Sequence, residues 1–137
     1  MEASSGLREL MLAYWEALCT GDVPFVEAHL STSDVVFAFG TDPAERYEGD
    51  SLRQIWRQQL AASGGAVTIV PGDIRAYQEG SVGWIADDPR FRLPDGVEIP
   101  VRFTAVAHRR DGVWRFVQAH TSVGVPNERL LGVVLPT

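Results

Sequence analysis

The sequence predicts an α+β fold in which three N-terminal helices pack on one face of an antiparallel sheet. Helical spacing of apolar residues is confined to the first half of the 137-residue chain. The second half consists of short runs typical of strands, and Asp111-Gly112 between two such runs predicts a tight hairpin. No internal repeat or linker interrupts this order, so we expect a single domain over residues 1–137.

Two capped segments predict the first pair of helices. The first helix is expected to begin after Ser4 or Ser5, either of which can cap an N-terminus, and to end at Gly21. Its apolar side consists of Leu7, Leu10, Met11, Tyr14 and Leu18. The second helix is expected after Asp22, which can cap it, with Pro24 in its first turn.

The remaining elements are a third helix and a series of strands. Asp50 is expected to cap the helix, and the Gly-Gly pair 64–65 is expected to end it. A strand rich in β-branched and aromatic residues is expected at 34–39. Further strands are expected at 66–70, 73–78, 81–88, 101–109 and 113–123. The tail after Pro126 is expected to be irregular.

The Asp111-Gly112 turn sets the register of the last two strands. A two-residue loop pairs Arg110 with Val113, so alternate residues of both strands share a face. The face expected to meet the helices holds Val101, Phe103, Ala105, Ala107, Trp114, Phe116, Gln118, His120 and Ser122. The last three of these are polar, and buried polar groups need partners or a ligand. The opposite face mixes small apolar and polar residues, which is typical of a sheet that packs on another subunit.

The preceding hairpin raises the question of which acidic residue faces inward. The turn at Glu79-Gly80 places Trp84 and Asp88 on one face and Asp87 on the other. A following proline can introduce a bulge, so the choice between the two aspartates stays open.

Composition excludes several classes of function. The net charge of −6 argues against general nucleic-acid binding, which needs clustered positive charge. All 12 basic residues are arginines, which excludes Schiff-base chemistry on lysine. Cys19 is the only cysteine, and three scattered histidines lack metal-ligand spacing, so no metal is expected. No apolar stretch approaches a membrane span, and the N-terminus shows no signal peptide, so a cytoplasmic protein is expected.

Three segments in order resemble the nuclear transport factor 2-like superfamily, which includes ketosteroid isomerase and the SnoaL-like polyketide cyclases. AYWEALCTGDVPFVEAHL (13–30) resembles its opening helix pair, and FGTDPAERYEGDSLRQIW (39–56) is similar to its loop and third helix. DGVWRFVQAHTSV (111–123) resembles its closing strand. The resemblance implies a cone-shaped fold with a curved sheet, a deep pocket and a homodimer formed through the outer sheet face. It does not imply one reaction.

Most catalytic residues of ketosteroid isomerase have no counterpart in this sequence. Tyr14 matches the position of the catalytic tyrosine. Phe39 and Gly40 occupy the region of the general-base aspartate, and residues 103–105 occupy that of the second acid. These absences argue against steroid isomerisation by that mechanism. Asp42, Glu45 and Arg46, in the loop between, are interpreted as a solvated turn.

The candidate site combines three catalytic candidates with an apolar wall. His120 is the candidate general base, and its alternative is a core histidine bonded to a neighbour. Tyr14 is the candidate donor to a substrate carbonyl, or else a core tyrosine, and Asp88 is a candidate acid or orienter, or else a solvated carboxylate. The side chains expected to line the pocket are Phe39, Trp56, Trp84, Phe103, Phe116, Gln118 and Ser122. Such a cluster can equally be plain core.

Two functions remain open from the sequence. One is a cofactor-independent isomerase, cyclase or dehydratase, in which His120 takes a proton from a small apolar or aromatic carbonyl compound. The other is a ligand-binding or dimerisation module of the same fold without catalysis.

Overall fold

Helices predicted from capping signals are present in the computed structural model, which describes residues 1–63 and 66–136. The first helix, α1 (Ser5–Thr20), is capped by Ser4, whose Oγ accepts a hydrogen bond from the Leu7 amide at 3.3 Å. It ends at Gly21, whose φ of 71° is left-handed. The second helix, α2 (Val23–Ala28), is capped by Asp22.

The other two helices differ from the sequence prediction. The helix α3 (Gly49–Ser63) begins one residue before the expected cap, and Asp50 lies in its first turn, bonded to Arg53. The expected stop at 64–65 lies outside the described residues. The prediction of an irregular tail is wrong, because α4 (Asn127–Leu131) forms there. A five-residue helix is too short to show helical periodicity in sequence.

The main sheet contains seven strands within the described ranges. In spatial order they are β1 (Glu2–Ala3), β5 (Arg75–Glu79), β6 (Val82–Asp87), β9 (Arg102–Arg110), β10 (Val113–Ser122), β2 (Phe37–Phe39) and β3 (Arg46–Glu48). All neighbours are antiparallel except β10 and β2, which are parallel. The α+β class is therefore confirmed, with helices packed against a curved, largely antiparallel sheet that is not closed.

A smaller sheet packs beside the main one. It consists of β4 (Thr68–Val70), β7 (Arg90–Arg92) and β8 (Glu98–Pro100). The hairpin of β7 and β8 comes from a proline-bearing segment to which the sequence assigned no strand. One alternation matters for the site: Phe91 lies on one face of this sheet, whereas Arg90 and Arg92, which both pair with Glu98, lie on the other.

The core lies between α1 and the inner face of the main sheet. Leu7 and Met11 of α1 are fully buried, as is Ala107 on β9. Each large apolar side chain buried in this way contributes about 1.5–3 kcal/mol to folding. Gly83 on β6 lets α1 approach closely, because a side chain there would collide with Leu7. This packing places the next turns of α1 over the second half of the sheet.

The last hairpin has the predicted turn but not the predicted register. Arg110 pairs with Val113, and Asp111 and Gly112 have φ values of 53° and 75°. The pairing holds until Phe116, which lies opposite Ala107. A β-bulge at Val117 then shifts the register by one residue. Every later residue of β10 therefore faces the side of the sheet opposite to the one predicted.

Candidate functional site

A cavity of about 280 Å³ opens between the helices and the inner face of the sheet. Its walls come from α1, α3, the loop before β3, the small sheet and the inner face of β2, β9 and β10. The apolar lining residues include Trp15, Leu18, Ala38, Tyr47, Trp56, Leu60, Ile69, Phe91, Phe103 and Ala119. The cavity is therefore a largely apolar, aromatic-walled site of the kind that binds small molecules.

Tyr14 is a deeply buried residue of the cavity wall. Its side chain is only 1% exposed, and its ring packs edge-on against Phe116, with the ring centroids 4.8 Å apart. Trp56 of α3 covers another side, with a centroid distance of 5.5 Å. Burial raises the pKa of the Tyr14 phenol well above its usual value, so the group stays protonated. Its hydroxyl makes no hydrogen bond to residues 1–63 or 66–136, and it is not among the fully enclosed polar atoms, so it borders the cavity and is accessible to a ligand there.

Asp87 fixes the neighbouring tryptophan. The Trp15 Nε1 donates a hydrogen bond to Asp87 Oδ2 at 2.8 Å, behind the cavity wall. The amides of Gly72 and Asp88 donate to the other carboxylate oxygen at 3.0 Å and 2.9 Å. Burial raises the pKa of Asp87, although these three hydrogen bonds partly offset it. The carboxyl group thus holds Trp15 and the loop before β5 together.

Asp87 is the inward carboxylate of the pair between which the sequence left the choice open. The candidate role of Asp88 as an acid of the cavity is wrong, and its alternative as a solvated carboxylate agrees with its exposure. Asp87 is 6% exposed, whereas Asp88 is exposed and accepts a hydrogen bond from the Asp73 amide at 2.9 Å. On β6 the inner positions are Gly83, Ile85 and Asp87. The side chain of Trp84 therefore lies on the outer face, 36% exposed, and its placement in the pocket is also wrong.

The bulge removes the predicted polar group from the cavity. The register places Gln118, His120 and Ser122 outside the lining of this cavity, although Gln118 borders a minor void of about 10 Å³, and the inner positions after Val117 are Ala119 and Thr121. His120 is exposed, with its ring against the edge of Phe39 at a centroid distance of 5.6 Å. The expected inward orientation of these three residues is wrong, because one extra residue in β10 reverses the alternation.

The other predicted lining residues are divided between the cavity, the core and the rim. Trp56 and Phe103 line the cavity. Phe116 lies in the core behind Tyr14 and contacts only a minor void of about 10 Å³ beside the main cavity. Phe39 lies at the rim, with its 38% exposed ring turned to the outer face beside His120.

The mouth of the cavity is polar. Gly40, Thr41 and Glu45 line it from the loop before β3, and Gln59 and Ser63 line it from α3. Gln59 Nε2 donates to Glu45 Oε1 at 2.9 Å, which bridges the two sides of the mouth. Glu45 is the only charged side chain among the described lining residues.

The sequence interpretation missed Ala119 and Thr121 as lining residues, and it treated Glu45 as part of a solvated turn. Glu45 carried no signal, because its position depends on the conformation of a loop. The two β10 residues could be found only by locating the bulge.

Comparison with known proteins decides the family. The model of the SnoaL-like domain matches residues 7–126. The chain belongs to the SnoaL-like family. A comparison of the sequence with curated proteins finds no match. The family match agrees with the fold, since SnoaL-like domains are part of the nuclear transport factor 2-like superfamily.

Solved structures show the same fold at low sequence identity. A nuclear transport factor 2-like protein of unknown function from Pseudomonas putida is 18% identical, with a TM-score of 0.79 over 97% of this chain and 94% of that chain. A protein of the same family from Streptomyces avermitilis, provisionally assigned as a dehydratase, is 16% identical, with a TM-score of 0.74 over 87% and 94%. A provisionally assigned ketosteroid isomerase from Shewanella frigidimarina is 17% identical, with a TM-score of 0.68 over 83% and 92%.

The described residues contain neither a cluster of metal-ligating side chains nor a helix suited to cross a membrane. Residues 1–63 and 66–136 contain no group of three or more histidine, cysteine, aspartate or glutamate side chains that could hold a metal ion. In the same part of the chain, no helix has the length and apolar character needed to cross a membrane.

Proposed function

We propose that this SnoaL-like protein binds a small, largely apolar ring compound carrying a carbonyl group. The observation that carries the proposal is an aromatic cavity bordered by the phenol of Tyr14, whose hydroxyl makes no hydrogen bond to the described residues. A hydroxyl that borders a cavity can complete its hydrogen bonding with a ligand or with water. A carbonyl oxygen suits this donor, since the raised pKa of Tyr14 keeps its proton in place.

The size of the cavity limits the ligand. An apolar cavity of ~150 Å³ accepts benzene, and the volume here is about 280 Å³. We therefore expect a compound of about two fused rings with small substituents, held by stacking on Trp15 and Trp56. No cofactor is needed for binding of this kind.

A matched pair of ligands tests the proposal. By calorimetry, 2-acetylnaphthalene should bind, and Tyr14→Phe should weaken it by about 2- to 13-fold, the range of one hydrogen bond worth about 0.5–1.5 kcal/mol. The same substitution should leave 2-ethylnaphthalene, which lacks the carbonyl, unchanged. Equal weakening of both compounds, or no saturable binding of either, would contradict the proposal.

A cofactor-independent isomerase, cyclase or dehydratase is the second candidate function. Tyr14 favours it, because a phenol that donates to a carbonyl also stabilises an enolate oxygen. The assignments of two structural neighbours as dehydratase and isomerase agree with it. His120 is a poor candidate for the base, since its ring lies on the outer face.

Proton exchange distinguishes catalysis from binding. An enzyme that forms enolates should speed the exchange of the acetyl protons of 2-acetylnaphthalene in D₂O, followed by NMR. Tyr14→Phe should slow this exchange, whereas His120→Ala should not. Exchange at the uncatalysed rate in saturated protein would favour the binding module.

We also propose that two copies associate through the outer face of the main sheet. Three neighbouring side chains of this face, Tyr77, Val82 and Trp84, are 37%, 49% and 36% exposed, and Tyr77 stacks on Trp84. A continuous apolar patch of this kind is typical of an interface. Trp84→Glu should convert a dimer to a monomer in sedimentation equilibrium. Leu12→Glu, on the helical side, is the control, and a monomeric parent protein would contradict the proposal.

A further inference from the structure

Glu45 is fixed at the mouth of the cavity from two sides. Its Oε1 accepts from Gln59 Nε2 at 2.9 Å, and its Oε2 accepts from the Asp42 amide at 3.1 Å. The loop is closed by the Gly40 amide, which donates to the Glu45 carbonyl at 3.0 Å. A side chain at position 40 would collide with the Glu45 carboxylate, so the glycine leaves free the space that this carboxylate occupies.

No cation among the described lining residues balances this charge. Arg46, the next residue, turns to the outer face, where its guanidinium lies over the Phe39 ring and pairs with Glu48 at 3.1 Å. Its charge is therefore directed away from the cavity, on the other side of β3. Glu45 is therefore the charged group that a ligand at the mouth contacts among the described lining residues.

The arginines of the small sheet are also directed away. Arg90 and Arg92 flank Phe91, whose side chain lines the cavity, and alternation places their side chains on the opposite face. Both pair with Glu98, at 2.9 Å and 2.7 Å. A ligand in the cavity therefore meets a negative mouth without a nearby free cation from this sheet.

The carboxylate has remaining capacity to accept hydrogen bonds. Two oxygens offer about four lone-pair sites, and two are used by Asp42 and Gln59. A hydroxyl or ammonium group on a ligand could take a remaining site in a charge-assisted hydrogen bond. An anionic group at the same place would be repelled and would lose its hydration.

We propose that Glu45 makes the cavity selective for neutral or cationic ring compounds that carry a hydrogen-bond donor at the end nearest the mouth, and that it excludes carboxylates and other anions. This inference rests on the proposed binding function. It adds a second polar contact to that of Tyr14, so the favoured ligand has a carbonyl at its inner end and an alcohol or amine at its outer end.

A series of four ligands tests the selectivity. The probes are 2-acetylnaphthalene and its derivatives with hydroxyl, aminomethyl or carboxylate at carbon 6, each titrated calorimetrically at low salt. We expect the hydroxyl and aminomethyl compounds to bind at least about threefold more tightly than the parent ketone. We expect the carboxylate to bind at least about tenfold more weakly. High salt should weaken both the preference for the aminomethyl compound and the discrimination against the carboxylate. It should leave the preference for the neutral hydroxyl compound unchanged.

Two variants and a control assign the effect to Glu45. Glu45→Gln should restore binding of the carboxylate to within about threefold of the parent ketone. Gln59→Arg, at an exposed position on α3, should do the same by placing a cation beside Glu45. Asp42→Asn removes the same charge from the same loop at a residue that does not line the cavity, and should change nothing.

The outcomes separate this proposal from the one on which it rests. Binding of all four compounds without the expected order, or an equal effect of Glu45→Gln and Asp42→Asn, would overturn the role of Glu45 alone. Absence of binding for every compound, including the parent ketone, would overturn the binding function and this inference together.

Discussion

The two halves of β10 have similar strand-like sequences, but the first half fills the core and the second half borders the cavity. Before Val117, the inner positions hold Trp114 and Phe116, whose large side chains fill the core. After it, the inner positions hold Ala119 and Thr121, beside Ala38 on the parallel strand β2. Small side chains on this part of the sheet leave the space that becomes the cavity.

The contrast shows that one inserted residue separates a packed region from a binding region. The bulge turns the polar side chains Gln118 and His120 outward and leaves the cavity wall apolar. Apart from the hydroxyls of Tyr47 and Thr121, the polar groups of the cavity then come from Tyr14 on α1 and from the mouth.

Truncation should be costly in the first half of β10 and cheap in the second. Phe116→Ala removes a fully packed ring and should lower the free energy of unfolding by about 3–5 kcal/mol. Thr121→Ala, which borders empty space, should cost less than about 1 kcal/mol. Urea denaturation measures both values. Equal costs would contradict the division into core and cavity.

Filling the cavity should abolish binding while the fold persists. Ala119→Phe places a ring into the space that the ligand would occupy, so affinity for 2-acetylnaphthalene should fall at least about tenfold, or ~1.4 kcal/mol. Calorimetry measures the affinity, and circular dichroism checks the fold. Gln118→Phe, on the adjacent outward position, is the control, and an equal loss in that variant would contradict the assignment of faces.

Asp87 faces inward and its neighbour Asp88 faces outward, so only Asp87 should make the free energy of unfolding depend on pH through burial. Burial raises the pKa of Asp87 in the folded state, so its stabilising contribution is full below the unfolded value and is lost as pH rises through the folded pKa. The Asp87→Asn variant should lack this loss. Its free energy of unfolding relative to the parent should therefore increase with pH above about 3.8, the ordinary value. Urea titrations across pH 3–7 provide the test.

The control for the pH effect is a substitution of Asp88, the outward-facing neighbour of Asp87. Asp88→Asn removes one negative charge from an exposed position, and its difference from the parent should not follow the same curve. Similar curves for the two variants would mean that net charge, and not burial of Asp87, is responsible.

The smallest effect is expected at His120. Its ring is exposed on the outer face, so His120→Ala should change the affinity for 2-acetylnaphthalene by less than about twofold, or ~0.5 kcal/mol. Calorimetry under the same conditions provides the measurement. A tenfold loss would place the imidazole in the binding site after all.

Much of the fold could be predicted because its signals are local. Ser4, Gly21 and Asp22 act at the helix ends through hydrogen bonds and dihedral angles that depend on a few neighbouring residues. The turn at 111–112 needs two successive positive φ values, which Asp-Gly adopts readily. The short strands β1, β3, β7 and β8 depend on pairing with other strands, so sequence periodicity did not indicate them, whereas β4 lies within the strand expected at 66–70.

The candidate site could be predicted only in part. Tyr14, Trp56 and Phe103 lie on elements whose faces follow from unbroken periodicity, and these line the cavity. The inward placement of His120 depended on counting residues across Val117, where the alternation is broken. A bulge is determined by packing across the whole sheet, and a single strand sequence does not reveal its position.

The most direct test is an NMR titration of the labelled protein with 6-hydroxy-2-acetylnaphthalene, in which indole and imidazole signals are followed together. The structure predicts shifts of the Trp15 and Trp56 indole N–H signals and of the Thr121 amide, with the His120 ring signals unchanged. Shifts of the His120 ring with static indole signals would contradict the central claim that the inner cavity, and not the outer face of β10, is the binding site.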